Sequence, residues 1–224
     1  MLYNMTKEYP KLSVTTDIVI FSIINNDLKV LLVKRGVVPF KGKWALPGGF
    51  VKMEEDIEQC AKRELLEETG VTENYLEQLY TFGDPKRDPR GRVITVAYFA
   101  LINAEKVSLN PTTDVSEAKW FSCSKLPILS FDHKKIIDYA LQRIKWKFEY
   151  TPIAFSLLPK KFTMTQLQKI YEIVFKKKFD KRNFRKKVLS FDILKQEEIK
   201  KGVSYRPPQL YSLKSNIPDI IEIL

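Results

Sequence analysis

Three carboxylates pose the first chemical question: Glu64, Glu67 and Glu68. On an α-helix, positions i, i+3 and i+4 share one face, so a helix here gathers all three acids together. Like charges at such spacing cost an isolated helix roughly 0.2–0.5 kcal/mol per pair, and hard divalent cations with oxygen ligands would neutralise them. At 100° per residue, Glu64 and Glu68 continue the line of Ile57, Cys60 and Ala61, the side that the earlier turns should bury. The plain alternative is a solvated acidic face. As a site, the cluster would hold cations that polarise a bound oxygen and acidify an attacking water, with a nearby carboxylate taking the proton.

The surrounding segment runs Gly49, five residues, Glu55, seven residues, Arg63-Glu64-Leu65, one residue, Glu67-Glu68, one residue, Gly70-Val71. These nine defined positions resemble the box of the Nudix family without departure, over about the first two-thirds of the chain. The resemblance implies Mg²⁺ or Mn²⁺ on Glu64, Glu67, Glu68 and the Gly49 carbonyl. It implies a catalytic group of Glu64, Glu67 and Arg63, with Arg63 bracing loop and helix through Glu55. The general base is Glu64 or, on a later loop, Glu117.

Substrate choice should lie outside the box. The stretch Gly83-Asp84-Pro85-Lys86-Arg87-Asp88-Pro89-Arg90-Gly91-Arg92 offers Arg87, Arg90 and Arg92 as phosphate clamps, and reads otherwise as a charged turn. With Val93 to Phe99 after it, the stretch is similar to Nudix proteins that act on or sense ADP-ribose and related nucleoside diphosphate sugars. Arg35 and Trp44 line the same cleft or serve as framework packing. His133 is the one histidine, without a partner for a triad or metal site, so a structural or helix-start role is expected. Cys60 and Cys123 lack metal or disulfide spacing and read as buried apolar residues.

Positioning these groups requires an α+β domain. A hairpin is expected at Asp17–Ile24 and Leu28–Lys34, turning through Asn25-Asn26-Asp27. A helix should run from Glu55 to Thr69 and close at Gly70. Further strands are expected at Leu76–Phe82, Arg92–Ile102 and Glu117–Phe121, with a helix at Asp132–Phe148. The family fold implied is an α/β/α sandwich with a mixed sheet. No run is apolar and long enough to span a membrane and the start lacks a signal-peptide core, so a cytoplasmic address is expected.

The chain carries a net charge of +11, unevenly spread: residues 151–224 hold 16 Lys and Arg against 7 Asp and Glu. A domain boundary is expected at Tyr150-Thr151-Pro152, giving units 1–150 and 151–224. Thr165-Gln166-Leu167-Gln168 has capping-box spacing before one amphipathic helix, and a basic helix begins near Asp180. A short helix and a hairpin around Val203–Leu213 would complete a small winged helix-turn-helix. Lys181, Arg182, Arg185 and Lys186 would meet phosphates or base edges, with Arg206 on the wing. The alternative is a basic appendage for dimerisation.

Nudix domain plus basic tail is similar to the Nudix-related transcriptional regulators, some of which respond to ADP-ribose. That resemblance implies a homodimer on operator DNA. Because many of those regulators have a damaged box and this one is intact, two functions stay open: a metal-dependent ADP-ribose hydrolase with a DNA-binding domain, and a sensor with little turnover.

Overall fold

Strand β1 (Ser13–Ile24) is apolar on consecutive residues because both its faces are covered. Ile18 and Ile20 point to one side of the sheet, under Ala61 and Leu65; Val19 and Phe21 point to the other, under Ile136, Ala140 and Ile144. This computed structural model describes residues 11–70, 75–103, 115–197 and 207–221.

Strand β1 turns through Asn25 and Asn26, both at positive φ, into β2 (Asp27–Arg35), as the hairpin expectation requires. Strands β3 (Trp44–Ala45) and β4 (Gly48–Phe50) follow, then helix α1 (Ile57–Thr69) and strands β5 (Tyr75–Phe82), β6 (Val93–Leu101) and β7 (Val115–Ser122). The order across the sheet is β3-β2-β1-β6-β5, with β4 also on β1 and β7 on β2. Strands β1 and β6 run parallel from Ser13 opposite Val93 to Phe21 opposite Leu101, and the other pairs are antiparallel. The sheet is mixed and lies between α1 and α2 (His133–Tyr150), as expected.

Helix α1 starts two residues later than expected, because Asp56 caps it reciprocally with Gln59; Gly70 closes it in the left-handed conformation. Ile57 is 37% exposed, so the buried line begins at Cys60 and Ala61.

The chain then passes through a short 3-10 helix (Pro152–Leu157) and β8 (Phe162–Thr163) into helices α3 (Met164–Phe175) and α4 (Lys181–Ser190). The α3 cap is Thr163 with Gln166, not Thr165 with Gln168. Both pairs have the right spacing, but Met164 is buried on the helix's inner face and forces the earlier start. After α4 the expected short helix is absent among the described residues. Residues 198–206, which include the start of the expected hairpin, lie outside the described residues; its end is β10 (Leu210–Leu213), which pairs β9 (Leu194–Gln196) and β8. Two helices and a three-stranded wing make a winged helix-turn-helix.

Helix α2 joins the two units through shared packing. Phe148 lies 5.3 Å from Tyr171, which meets Phe184 at 5.4 Å, and the Ile221 N–H donates to the Tyr150 carbonyl at 2.8 Å. Among the described residues no helix is long and apolar enough to cross a membrane.

The cap assignment separates two neighbouring threonines. Thr163→Ala should cost about 1 kcal/mol in urea unfolding, and Thr165→Ala no more than a few tenths; equal losses would mean that α3 starts at Thr165.

Candidate active site and nucleic-acid interface

A cleft of roughly 400 Å³ opens where β1, β4, α1 and the 83–92 loop meet. Strand β4 lays Gly49 opposite Thr16 of β1, directly against Glu64 in the middle of α1. A Cβ on Gly49 would come within 2.8 Å of the Glu64 Cδ, so glycine is what lets the carboxylate sit there. Glu64 is 9% exposed, and its burial raises the carboxyl pKa against the opposing pull of Arg63.

Arg63 organises the acids. Its Nε and Nη2 donate to the two Glu55 oxygens at 2.9 and 2.7 Å, and its Nη1 donates to Glu64 at 2.6 Å and Glu67 at 3.3 Å. Those bonds, with one from the Lys52 N–H, hold the Glu55 carboxyl at about 2, far below its usual 4.5. Among the described residues no group of three or more His, Cys, Asp or Glu side chains is arranged to hold a metal ion. The Glu68 side chain lies outside the described residues. Glu64 and Glu67 nevertheless converge on one positive charge beside the Gly49 backbone, an all-oxygen set that suits a hard divalent cation.

The loop arginines divide. Arg87 borders the cleft, but its guanidinium points inward, donating to Asp132 at 2.8 and 3.1 Å and to Asp17 at 3.1 Å, and it is 7% exposed. Arg90 is half exposed, paired with Asp88 at 2.7 Å and resting on the rings of Phe50 and Phe131. Arg35 covers Phe131 at 5.0 Å and donates to the Pro39 carbonyl. Arg92 donates to the Gly83 carbonyl and does not line the cleft. Trp44 packs on Phe121 and Glu117 pairs with Lys34; neither lines the cleft.

Sequence reasoning did not find Asp17, Asp88 or Phe131. Phe131, at φ 52°, puts its ring within about 5 Å of both Arg35 and Arg90. His133 starts α2 and has the expected structural part: its Nδ1 accepts the Leu46 N–H at 2.7 Å, so the proton sits on Nε2, 3.5 Å from Asp17. Burial lowers its pKa and keeps it neutral. Cys60 is buried against Thr16, and Cys123 is half-buried.

In the second unit, α4 buries Phe184 and Val188 and exposes Lys181, Arg182, Arg185 and Lys186. Arg185 also donates to the Tyr211 hydroxyl at 2.8 Å, tying the helix to the wing. Arg206 lies outside the described residues.

A glycine-backed acid cluster on the helix that follows β4, under a mixed sheet, is the Nudix arrangement. The chain belongs to the Nudix family, within the group of NrtR-type regulators that add a winged helix: a model of the NUDIX domain matches residues 15–142, and one of the NrtR DNA-binding winged helix domain matches residues 154–213. It is 40% identical to the ADPR responsive transcriptional repressor NtrR of Acinetobacter baylyi, over 91% of this chain and 83% of that protein. It is 43% identical to the ADP-ribose pyrophosphatase of Methanocaldococcus jannaschii, over 56% of this chain and 71% of that one. Shewanella oneidensis NrtR in complex with a 27mer DNA superimposes with a TM-score of 0.79 at 35% identity, covering 93% of this chain and 99% of that one. The NUDIX domain of the same Shewanella protein with ADP ribose gives 0.56 at 39% identity, over 63% and 94%. Nudix hydrolases generally work with divalent metal ions.

Two outcomes test this geometry. Gly49→Ala should push the Glu64 carboxylate aside and weaken Mn²⁺ binding, read by electron paramagnetic resonance, by roughly 10–100-fold; unchanged affinity would remove Glu64 from the site. Because the folded Glu55 pKa lies below the unfolded one, its brace stabilises fully above pH 4.5 and is lost as pH falls towards 2. Urea midpoints of the wild type should therefore drop more steeply across that window than those of Glu55→Gln, and parallel curves would exclude the brace.

Proposed function

We propose that this chain is a DNA-binding regulator that takes ADP-ribose in its Nudix cleft and hydrolyses it. The observation that carries the reading is the intact, partly buried carboxylate pair of α1 against Gly49, in a chain that also carries a winged helix. We infer a boundary between the units at 150/151; support comes from the interval between the two family matches, 15–142 and 154–213. The similarity to an ADPR-responsive repressor and to an ADP-ribose pyrophosphatase supports both halves.

Arg90 and Arg35 hold the diphosphate, while Arg87 keeps the cleft floor fixed through Asp17 and Asp132. Bound Mg²⁺ or Mn²⁺, on Glu64, Glu67, Glu68 and the Gly49 carbonyl, would neutralise the phosphates and acidify the attacking water. Glu64, held beside the Gly49 backbone by Arg63, takes the water's proton. The water oxygen bonds to one diphosphate phosphorus as its bond to the bridging oxygen breaks, giving AMP and ribose 5-phosphate. Arg63 orients Glu64 and Glu67 through its Nη1.

Lys181, Arg182 and Lys186 meet the DNA backbone and base edges, with Arg185 held at the wing by Tyr211 and Arg206 reaching from it. The protein works as a cytoplasmic homodimer. A second reading, a sensor with little turnover, is favoured by the Arg63 guanidinium, which already supplies a positive charge between Glu64 and Glu67.

Incubation with ADP-ribose and Mg²⁺ should release AMP, and Glu67→Gln should lose most of that activity; no AMP above this variant leaves the sensor reading. A mobility shift with the chain's own upstream DNA should respond to ADP-ribose. Replacing Lys181, Arg182 and Lys186 with Ala should lower the slope of log affinity against log salt by about 2–3; an unchanged slope would move the DNA contact elsewhere.

A further inference from the structure

A second cavity, of roughly 480 Å³, lies between α2, α3 and the β1–β2 turn, away from the Nudix cleft. Its floor is apolar: Leu28, Leu141, Ile144, Ile173 and Val174, with Cys123 beside them. Burial pushes the Cys123 thiol up to about 12, so it is uncharged. Five lysines also line it, against two acids. One acid, Glu172, is already committed, accepting from Lys178 at 2.8 Å and from the Phe179 N–H.

Helix-terminal electrostatics account for part of this lysine set. Lys176, Lys177 and Lys178 follow the C-terminus of α3, where cations are favourable. Lys145 in α2 and Lys169 in α3 have no such explanation. They stand within helices on the two sides of the junction, line the same cavity, and form no salt bridge among the described residues. Like charges gathered around an apolar floor repel one another until an anion joins them. Cavities of this size, with apolar walls and a few converging polar groups, are the usual form of a small-molecule site.

We propose that this cavity is a second ligand site that binds a small organic monophosphate, its apolar or aromatic body on the Leu28–Ile144–Val174 floor and its phosphate among Lys145, Lys169 and Lys176. Ammonium groups are compact charges with three donors each, suited to a phosphate dianion approached from several directions. A ligand there touches the Nudix and winged-helix units at once. The site is independent of whether the Nudix cleft binds or cleaves ADP-ribose.

The test is isothermal titration of the full chain at low salt with 4-methylumbelliferyl phosphate, which couples an aromatic body to a phosphate and has no diphosphate bond. One molecule should bind per chain, and inorganic phosphate or 4-methylumbelliferone alone should bind about tenfold more weakly or worse. Lys145→Gln/Lys169→Gln should weaken binding about tenfold or more. Arg90→Ala, in the other cleft, and the exposed pair Lys119→Gln/Lys135→Gln should leave it within about twofold. The proposal is overturned if the wild type does not bind, if Arg90→Ala abolishes binding, if the control pair matches the Lys145/Lys169 pair, or if inorganic phosphate binds as well as the ester.

Discussion

A buried guanidinium has to find its counter-charges inside the protein, and Arg87 finds two. Asp17 belongs to β1, the strand through which β2, β4 and β6 all connect; Asp132 immediately precedes α2. One cation therefore ties the loop, the central strand and the start of the long helix. His133 adds a neutral link, bonded to the Leu46 backbone and facing Asp17. The cleft floor depends above all on Arg87, because removing it would leave the Asp17 and Asp132 carboxylates without their shared counter-charge, at about 3–5 kcal/mol in comparable cases.

The acid cluster follows the opposite logic. Arg63 draws Glu55, Glu64 and Glu67 together from a partly exposed position, where one charge is shared among three carboxylates. Arg87 is enclosed and Arg63 reaches solvent. The difference is burial, since both arginines contact more than one carboxylate.

What the sequence made legible follows from the range of the interactions. The box, the Asn25-Asn26 turn, the Gly70 stop and the basic helix after Asp180 are local signals, and the structure contains each of them. Strands β3, β4, β8 and β9 have two or three residues, too few for alternation to register. The partners of Arg87 lie 70 and 45 residues away, so nothing near Arg87 distinguishes a buried anchor from a phosphate clamp. The α3 cap fell between two equally spaced threonine pairs, and only the burial of Met164 chooses between them. Phe131 carries no motif; its place between Arg35 and Arg90 exists only once the loop and strand are folded together.

Helix α2 begins at the cleft with His133 and ends with Phe148 packed on Tyr171 of the winged helix. Its 18 residues make a rod about 27 Å long. A glycine-rich tether would dissipate a small movement within a few bonds, whereas a helix turns as one piece. Any tilt imposed on its cleft end reaches the winged helix at the same angle, with the displacement set by leverage along the rod.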